Sequence, residues 1–414
     1  MFGSGVVADG PDVVGAGGGR CSAAGWSLMG RTLLVTNDFP PRPGGIERFI
    51  HNMAIRLRPE SLVVYASARS GARTAIGRRS EIEEFDAAQP FPVVREPTAM
   101  LLPLPGVARR AVELARRHEC DTVLFGAAAP LGLLAGTLRR DAKVRRVVSM
   151  THGHETGWAA LPGARSMLRR IGRDSDVVTF LGDYTRTRLA RVLGGLTTLA
   201  WLAPGVDVDV YRPDVDGTPI RRRHHLGGRP VIVCVSRLVP RKGQDVLIRA
   251  LPLVREQVPD AALLIVGTGP YGESLRRLAR RTGVADDVVF TGEVPWAEVP
   301  AHFAAGDVFA MPCRTRRAGL DVEGLGIVFL EASATGLPVV VGGSGGAPDA
   351  VIDSVTGYTV AGTDVSACAS RISQVLRDAD LAHKLGTAGR QWIEERWQWS
   401  QQAARLQDLL DGRG

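Results

Sequence analysis

The sequence predicts an α/β protein of two doubly wound parallel sheets that face each other across a cleft. Three observations carry this reading. Apolar runs of strand length alternate with helix-patterned segments along the chain, the sign of parallel sheets covered on both faces. The length, 414 residues, exceeds the size at which a single core stops growing, so two domains are expected. Most strand-like runs stop at Gly/Pro-rich breakers, and the carboxyl ends of such strands are where these sheets bind ligands.

Residues 1–28 are rich in glycine, alanine and valine and carry one basic residue, Arg20. They lack a basic start before an apolar core, so they do not resemble a secretion signal. Disorder is expected here, and Met29 stands directly before the first strand pattern as a candidate start. Arg31–Thr36 reads as that strand. It ends in the breaker loop Asn37–Gly45, and a helix pattern follows with Ile46, Phe49, Ile50, Met53 and Leu57 on one face. Further strands are expected at Ser61–Ala66, Thr122–Phe125, Arg146–Met150 and Asp176–Phe180. In the second half they fall at Val231–Ser236, Ala262–Val266, Val288–Phe290, Val308–Met311 and Val339–Val341. The turn Ala203–Asp209 marks the boundary, giving a first domain over 29–205 and a second over 206–397.

Composition narrows the class. The longest nearly apolar run, Ala127–Leu138, is broken by Pro130 and two glycines and is too short to span a bilayer. Five scattered cysteines, with no CxxC or His/Cys cluster, read as reduced thiols in a cytosolic enzyme. A net charge of +8 favours an anionic partner, although an arginine-rich solvated surface gives the same number.

Of 51 basic residues only three are lysines, Lys143, Lys242 and Lys384. Lys242 lies in Ser236-Arg237-Leu238-Val239-Pro240-Arg241-Lys242-Gly243, between a strand and a helix. Arg237 and Lys242 would both face the cleft, where arginine clamps a diphosphate in a bidentate manner and lysine supplies a point charge. Downstream, Glu323-Gly324-Leu325-Gly326-Ile327-Val328-Phe329-Leu330-Glu331 places two carboxylates eight positions apart around a helix start. Gly324, Leu325, Gly326 and Ile327 offer backbone N–H groups for a hydroxyl or anion. Glu323 is expected on sugar hydroxyls and Glu331 on ribose hydroxyls, because an ionised carboxylate within Phe329–Ala332 needs a partner. Together these residues suit a nucleoside diphosphate joined to a polyhydroxylated group, and hence sugar transfer.

Gly267 and Gly269 close a strand where backbone approaches the nucleotide, and Val294 follows another as a candidate contact to the base. Gly44-Gly45 opens a helix able to meet the diphosphate from across the cleft, or simply a tight turn. His152, His154 and Glu155 follow Arg146–Met150, placed for sugar contact; no third ligand completes a metal site. Asp207-Val208-Asp209 imitates the DxD of metal-dependent glycosyltransferases but lies in the linker and reads as structural. Arg109, Arg110, Arg116 and Arg117 flank one apolar helix stripe, and Arg165, Arg169 and Arg173 recur on another helix. Such basic amphipathic helices suit an anionic membrane surface.

Ser236–Gly243 with Glu323–Glu331 resembles the retaining glycosyltransferase family 4, of GT-B architecture, from about Arg31 to Trp397. Thr36–Arg42, Phe125–Pro130, Thr151–Glu155 and Met311–Arg316 look like its GDP-mannose-dependent phosphatidylinositol monomannoside mannosyltransferases. The resemblance implies α-1,6 transfer of mannose from GDP-mannose to a phosphoinositol-type lipid, peripherally on the inner face of the cell membrane, without metal or other cofactor. It implies that Arg237 and Lys242 hold the diphosphate, Glu323 to Ile327 the mannose, Glu331 the ribose, and Val294 the guanine. His152 would stand beside the sugar, with His154 its rival. The first domain would bind acceptor and the second nucleotide sugar, and a helix in 398–414 would cross back to the first domain. The commoner family form has Pro-Phe where Gly324-Leu325 stand.

Two other classes remain to be weighed. A two-domain dehydrogenase would need GxGxxG after a strand with an acidic residue about 20 positions on, and neither Gly44-Gly45 nor Gly267-Thr268-Gly269 satisfies it. A basic nucleic-acid-binding module would need a recognition motif or stacking platform, yet aromatics make up 6% of the chain without clustering.

Overall fold

The computed structural model describes residues 30–42, 44–68 and 77–413. The leader 1–28, Met29 and Cys21 lie outside them.

The first sheet contains β1 (Arg31–Thr36), β2 (Leu62–Ser67), β3 (Val93–Glu96), β4 (Cys120–Phe125), β5 (Arg146–Ser149), β6 (Val177–Phe180) and β7 (Thr198–Trp201). Their spatial order is β3-β2-β1-β4-β5-β6-β7, and every pairing is parallel. The second sheet contains β8 (Val231–Val235), β9 (Ala262–Val266), β10 (Val288–Gly292), β11 (Val308–Met311), β12 (Val339–Gly342) and β13 (Gly357–Val360). Its order is β10-β9-β8-β11-β12-β13, again all parallel. This is the strand order of a dinucleotide-binding Rossmann sheet. The two doubly wound Rossmann-like units of the expected fold are therefore present.

The strands form because Val, Ile and Leu run continuously through them. β2, β9, β11 and β12 are buried at every position, as sheets covered on both faces require. Three edge strands escape the sequence pattern: β3 (Val-Val-Arg-Glu) is only half-buried, β7 (Thr-Leu-Ala-Trp) is exposed at its first residue and half-buried beyond it, and β13 begins at a glycine. None shows the unbroken apolar run of a central strand.

Each sheet has one topological switch point, between β1 and β4 and between β8 and β11. Loops leaving those strands form the cleft walls. The helix Trp399–Asp411 packs on the first domain. Its Trp399 ring lies 6.1 Å from Phe49, and the Leu409 carbonyl accepts a hydrogen bond from Arg146 Nε at 2.5 Å. The chain crossing back is fixed where Val206 N–H donates to the Trp397 carbonyl at 2.6 Å. Asp207 Oδ1 accepts from the N–H groups of Asp209 and Val210, so this carboxylate of the linker DxD closes a local turn. Cys120, Cys234, Cys313 and Cys368 are buried free thiols. Among the described residues no helix is long and apolar enough to cross a membrane.

Candidate active site

The loop after β8 runs into a 3-10 turn, Pro240–Lys242, and then the helix Gln244–Arg255. Gly243 caps that helix in the left-handed region, at φ 78°, and a Cβ there would fall 2.0 Å from the Pro312 carbonyl of the loop after β11. Only glycine meets both demands. Its presence brings the Lys242 loop and the Glu323 loop together at the switch point.

Glu323 is 6% exposed. Its Oε2 lies 2.7 Å from Lys242 Nζ and 2.5 Å from Arg241 Nη1. Its backbone is fixed as well: the Glu323 carbonyl accepts from Gly346 N–H at 2.9 Å. Burial pushes the Glu323 carboxyl up, but the charges of Lys242 and Arg241 outweigh it and hold the group below its usual range. Arg241 also reaches Asp321 at 3.3 Å. The Arg237 side chain, at the exit of β8, is exposed, and among the described residues it has no ion-pair partner. The loop thus sets one lysine and one arginine on a single buried carboxylate and leaves a second arginine exposed.

Glu331 lies in the helix Ile327–Ala334, whose cap is Gly326. It is 2% exposed, and its partner comes from the other domain: Arg48 Nη1 stands 2.8 Å from Glu331 Oε1. Burial raises the Glu331 carboxyl above its usual range, with Arg48 opposing. Beside it the Tyr211 hydroxyl is buried and interacts with the Glu331 carboxylate and Arg48. Leu325 is buried, while Gly324 and Ile327 remain half-buried at the cleft.

From the first domain, the loop after β5 carries the histidines. His152 Nε2 lies 2.5 Å from the Gly126 carbonyl. A carbonyl can only accept, so Nε2 carries the proton and Nδ1 remains as acceptor. Burial holds the His152 pKa below its usual value. Glu155, fully buried, accepts the His152 backbone N–H at 3.0 Å and lies 3.2 Å from His154 Nε2. Glu155 thus ties this loop together, and His154 is the more exposed of the two rings. Here the domains touch: a Cβ on Gly324 would stand 2.9 Å from the His152 carbonyl, and one on Gly153 3.1 Å from Gly324 Cα. Nearby, Asp349 of the second domain accepts from the Tyr184 N–H at 3.2 Å, capping the helix Asp183–Leu193 of the first.

The structure therefore gathers Lys242, Glu323 and Gly324–Ile327 with His152 at one cleft, with Arg237 at the β8 exit and Glu331 one helix turn deeper. The other glycines differ. Gly267 N–H pairs with the Gly292 carbonyl at 3.0 Å, and Gly269 packs on Leu238, where a Cβ would fall 2.3 Å from its carbonyl oxygen. Backbone-to-backbone packing alone explains glycine at both. A Cβ on Gly45 would meet nothing within 4 Å, and the adjoining turn is covered by the Glu47 carboxylate, itself 2.8 Å from Arg42. Val294 is half-buried on the second-domain core. Among the described residues no group of three His, Cys, Asp or Glu side chains gathers as a metal site requires.

Four contributors escaped the sequence reading. Arg241 adjoins Lys242 and was open to inspection. Arg48 and Trp296, whose ring centroid lies 4.1 Å from the Arg48 guanidinium carbon, meet only through tertiary structure. Asp38, after β1, is close enough for its charge to act on the His152 ring; it lies inside the breaker loop.

Residues 218–392 match the family model "Glycosyl transferases group 1", and residues 43–210 match "Glycosyltransferase Family 4". The chain is 55% identical over 383 residues to a GDP-mannose-dependent alpha-(1-6)-phosphatidylinositol monomannoside mannosyltransferase of Mycolicibacterium smegmatis, covering 92% of this chain and 98% of the relative. It is 44% identical to a GDP-mannose-dependent monoacylated alpha-(1-6)-phosphatidylinositol monomannoside mannosyltransferase of Corynebacterium glutamicum, covering 93% and 98%. Among solved structures, Anabaena HepE in complex with UDP superposes with TM-score 0.75 at 20% identity, covering 92% of this chain and all of that one. Sucrose-phosphate synthase from Thermosynechococcus elongatus does so with TM-score 0.71 at 19% identity, covering 92% and 98%.

Proposed function

The chain belongs to glycosyltransferase family 4, and from that premise we propose that it moves mannose from GDP-mannose to a phosphatidylinositol mannoside lipid, forming an α-1,6 linkage with retention of configuration. The observation that carries this is the Lys242–Glu323–Arg241 cluster at the second switch point, with the exposed Arg237 earlier in the same loop. The mannosyltransferase relatives, similar over nearly their whole length, support the donor and the acceptor class.

In this reading the donor diphosphate takes Lys242 away from Glu323 and draws in Arg237. Glu323, still held by Arg241, turns its carboxylate to the mannose hydroxyls. Negative charge grows on the diphosphate as the bond between its oxygen and the mannose anomeric carbon breaks, and fixed cations stabilise that change. The acceptor hydroxyl oxygen bonds to the same carbon from the same face. Its proton passes to the leaving phosphate oxygen, so GDP departs without an enzyme nucleophile. His152, its Nε2 held by Gly126, offers Nδ1 to a sugar hydroxyl. We take the reaction to need no metal or other cofactor, since the cations that balance the leaving charge belong to the chain itself.

The acceptor is a lipid, and we place the first domain on an anionic membrane at the cytoplasmic face. Met100, Leu102, Leu104, Leu161 and Met167 are exposed. A groove of about 680 Å³ lined by Leu104, Arg109, Arg116 and Arg170 draws residues from the helices Pro105–Arg117 and Pro162–Asp174, which these side chains flank. Apolar side chains ringed by arginine fit an anionic bilayer surface.

The test is mannose transfer by the purified chain to a phosphatidylinositol monomannoside in vesicles, comparing GDP-mannose with UDP-glucose. Transfer from GDP-mannose alone is expected; transfer only from UDP-glucose would overturn the donor assignment.

A further inference from the structure

We propose that Arg48 is a positioning residue for the donor nucleoside, holding the Glu331 carboxylate and the Trp296 ring as two walls of one pocket that is complete only when the domains are closed. This rests on the donor reading above and concerns a residue from the opposite domain.

The helix Gly45–Ala54 buries Phe49, Ile50 and Met53 in the first domain, and Arg48 extends from it across the cleft. Its Nη1 reaches Glu331 Oε1 at 2.8 Å, between residues 283 positions apart. The same guanidinium covers the Trp296 ring at 4.1 Å. Trp296 follows β10 and Val294, so base-side and ribose-side elements of the second domain meet one first-domain side chain.

Two physical consequences follow. A carboxylate as buried as Glu331 protonates when left alone, and a protonated carboxyl accepts hydroxyl hydrogens poorly. Arg48 opposes that change and favours the ionised carboxylate, a charge-assisted acceptor for vicinal hydroxyls. Trp296 remains 60% exposed even with one face covered, which leaves surface for a flat base to stack.

The experiment titrates GDP into wild type, Arg48→Ala, Arg48→Lys and Trp296→Ala by calorimetry. Each protein's ligand-free Tm, and its KM and kcat with GDP-mannose, are also measured. Arg48→Ala is expected to weaken GDP by roughly 10- to 100-fold and to raise KM similarly, with kcat moving far less. Arg48→Lys should recover part of the loss, since it keeps the charge but not the flat stacking face. GDP affinity and KM of Arg48→Ala within about twofold of wild type would overturn the proposal, because a purely structural role shows in Tm alone. Should Arg48→Ala fail to fold, Trp296→Ala decides, and unchanged GDP affinity there overturns it equally. If wild type binds UDP and not GDP, the donor reading falls while the same comparison with UDP still decides the role of Arg48.

Discussion

The Lys242 ammonium stands 2.7 Å from the Glu323 carboxylate, which joins the loop leaving β8 to the loop leaving β11. Both groups are nearly buried, at 11% and 8% side-chain exposure, so neither is a solvated surface charge. Breaking a buried pair by removing one member ordinarily costs about 3–5 kcal/mol. Here Arg241 remains 2.5 Å from the same oxygen and limits that cost.

Lys242→Ala is therefore expected to keep its fold while kcat falls by roughly 10²–10³, the scale of removing one group that stabilises developing charge. Steady-state kinetics beside a melting curve checks both halves. Because Arg241 and Lys242 share one carboxylate, the double alanine variant should lose more stability than the two single losses added.

The two glutamates carry opposite pH signatures. Glu323 has a lowered pKa, so the stability it contributes is present above the ordinary carboxylate value, ~4.3, and is lost as pH falls through the folded value. The Tm difference between wild type and Glu323→Gln should stay level at neutral pH and move against wild type on strong acidification. Glu331 has a raised pKa, so stability falls as pH rises from the unfolded value through the folded one. Wild type should gain on Glu331→Gln as pH drops through that window. Melting both pairs from pH 7 to about 3 reads the two signs.

Gly324 marks where the domains meet, because a Cβ there would lie 2.9 Å from the His152 carbonyl. Gly324→Val should separate the two loops without unfolding either domain. A misplacement near 1 Å at reacting groups costs about 10²-fold, and kcat/KM for mannose transfer is expected to fall on that scale. Small-angle scattering should show a more open molecule.

The exposed side chains of Leu102 and Leu104 test the membrane assignment. Burying a leucine contributes about 1.5–3 kcal/mol, so Leu102→Asp with Leu104→Asp should weaken partitioning to anionic vesicles by well over tenfold. Arg109→Ala should instead soften the salt dependence. Vesicle sedimentation measures each.

Much of this arrangement was legible from the residues. The strands of the two sheet centres announced themselves as unbroken apolar runs, since burial on both faces leaves no room for alternation. Lys242 was visible against an arginine background, and Glu323 and Glu331 by their spacing around glycines. What escaped depends on tertiary neighbours. Nothing local tells that Arg48 meets Glu331, or that Glu323 sits between Arg241 and Lys242. Gly267 and Gly269 read as ligand contacts in sequence, and in the fold each also packs on backbone of its own domain, which by itself requires glycine. A strand-end glycine carries the same signal in both cases. The edge strands β3, β7 and β13 were missed because partial cover, in the first two, and an initial glycine, in the last, weaken the pattern.

The most direct test is a crystal structure with GDP-mannose bound. The account predicts Lys242 Nζ and the Arg237 guanidinium within about 3 Å of diphosphate oxygens, the distance of a charge-assisted hydrogen bond, and Glu323 turned to the mannose hydroxyls. A donor bound elsewhere, with Lys242 still on Glu323 and Arg237 still in solvent, would contradict it.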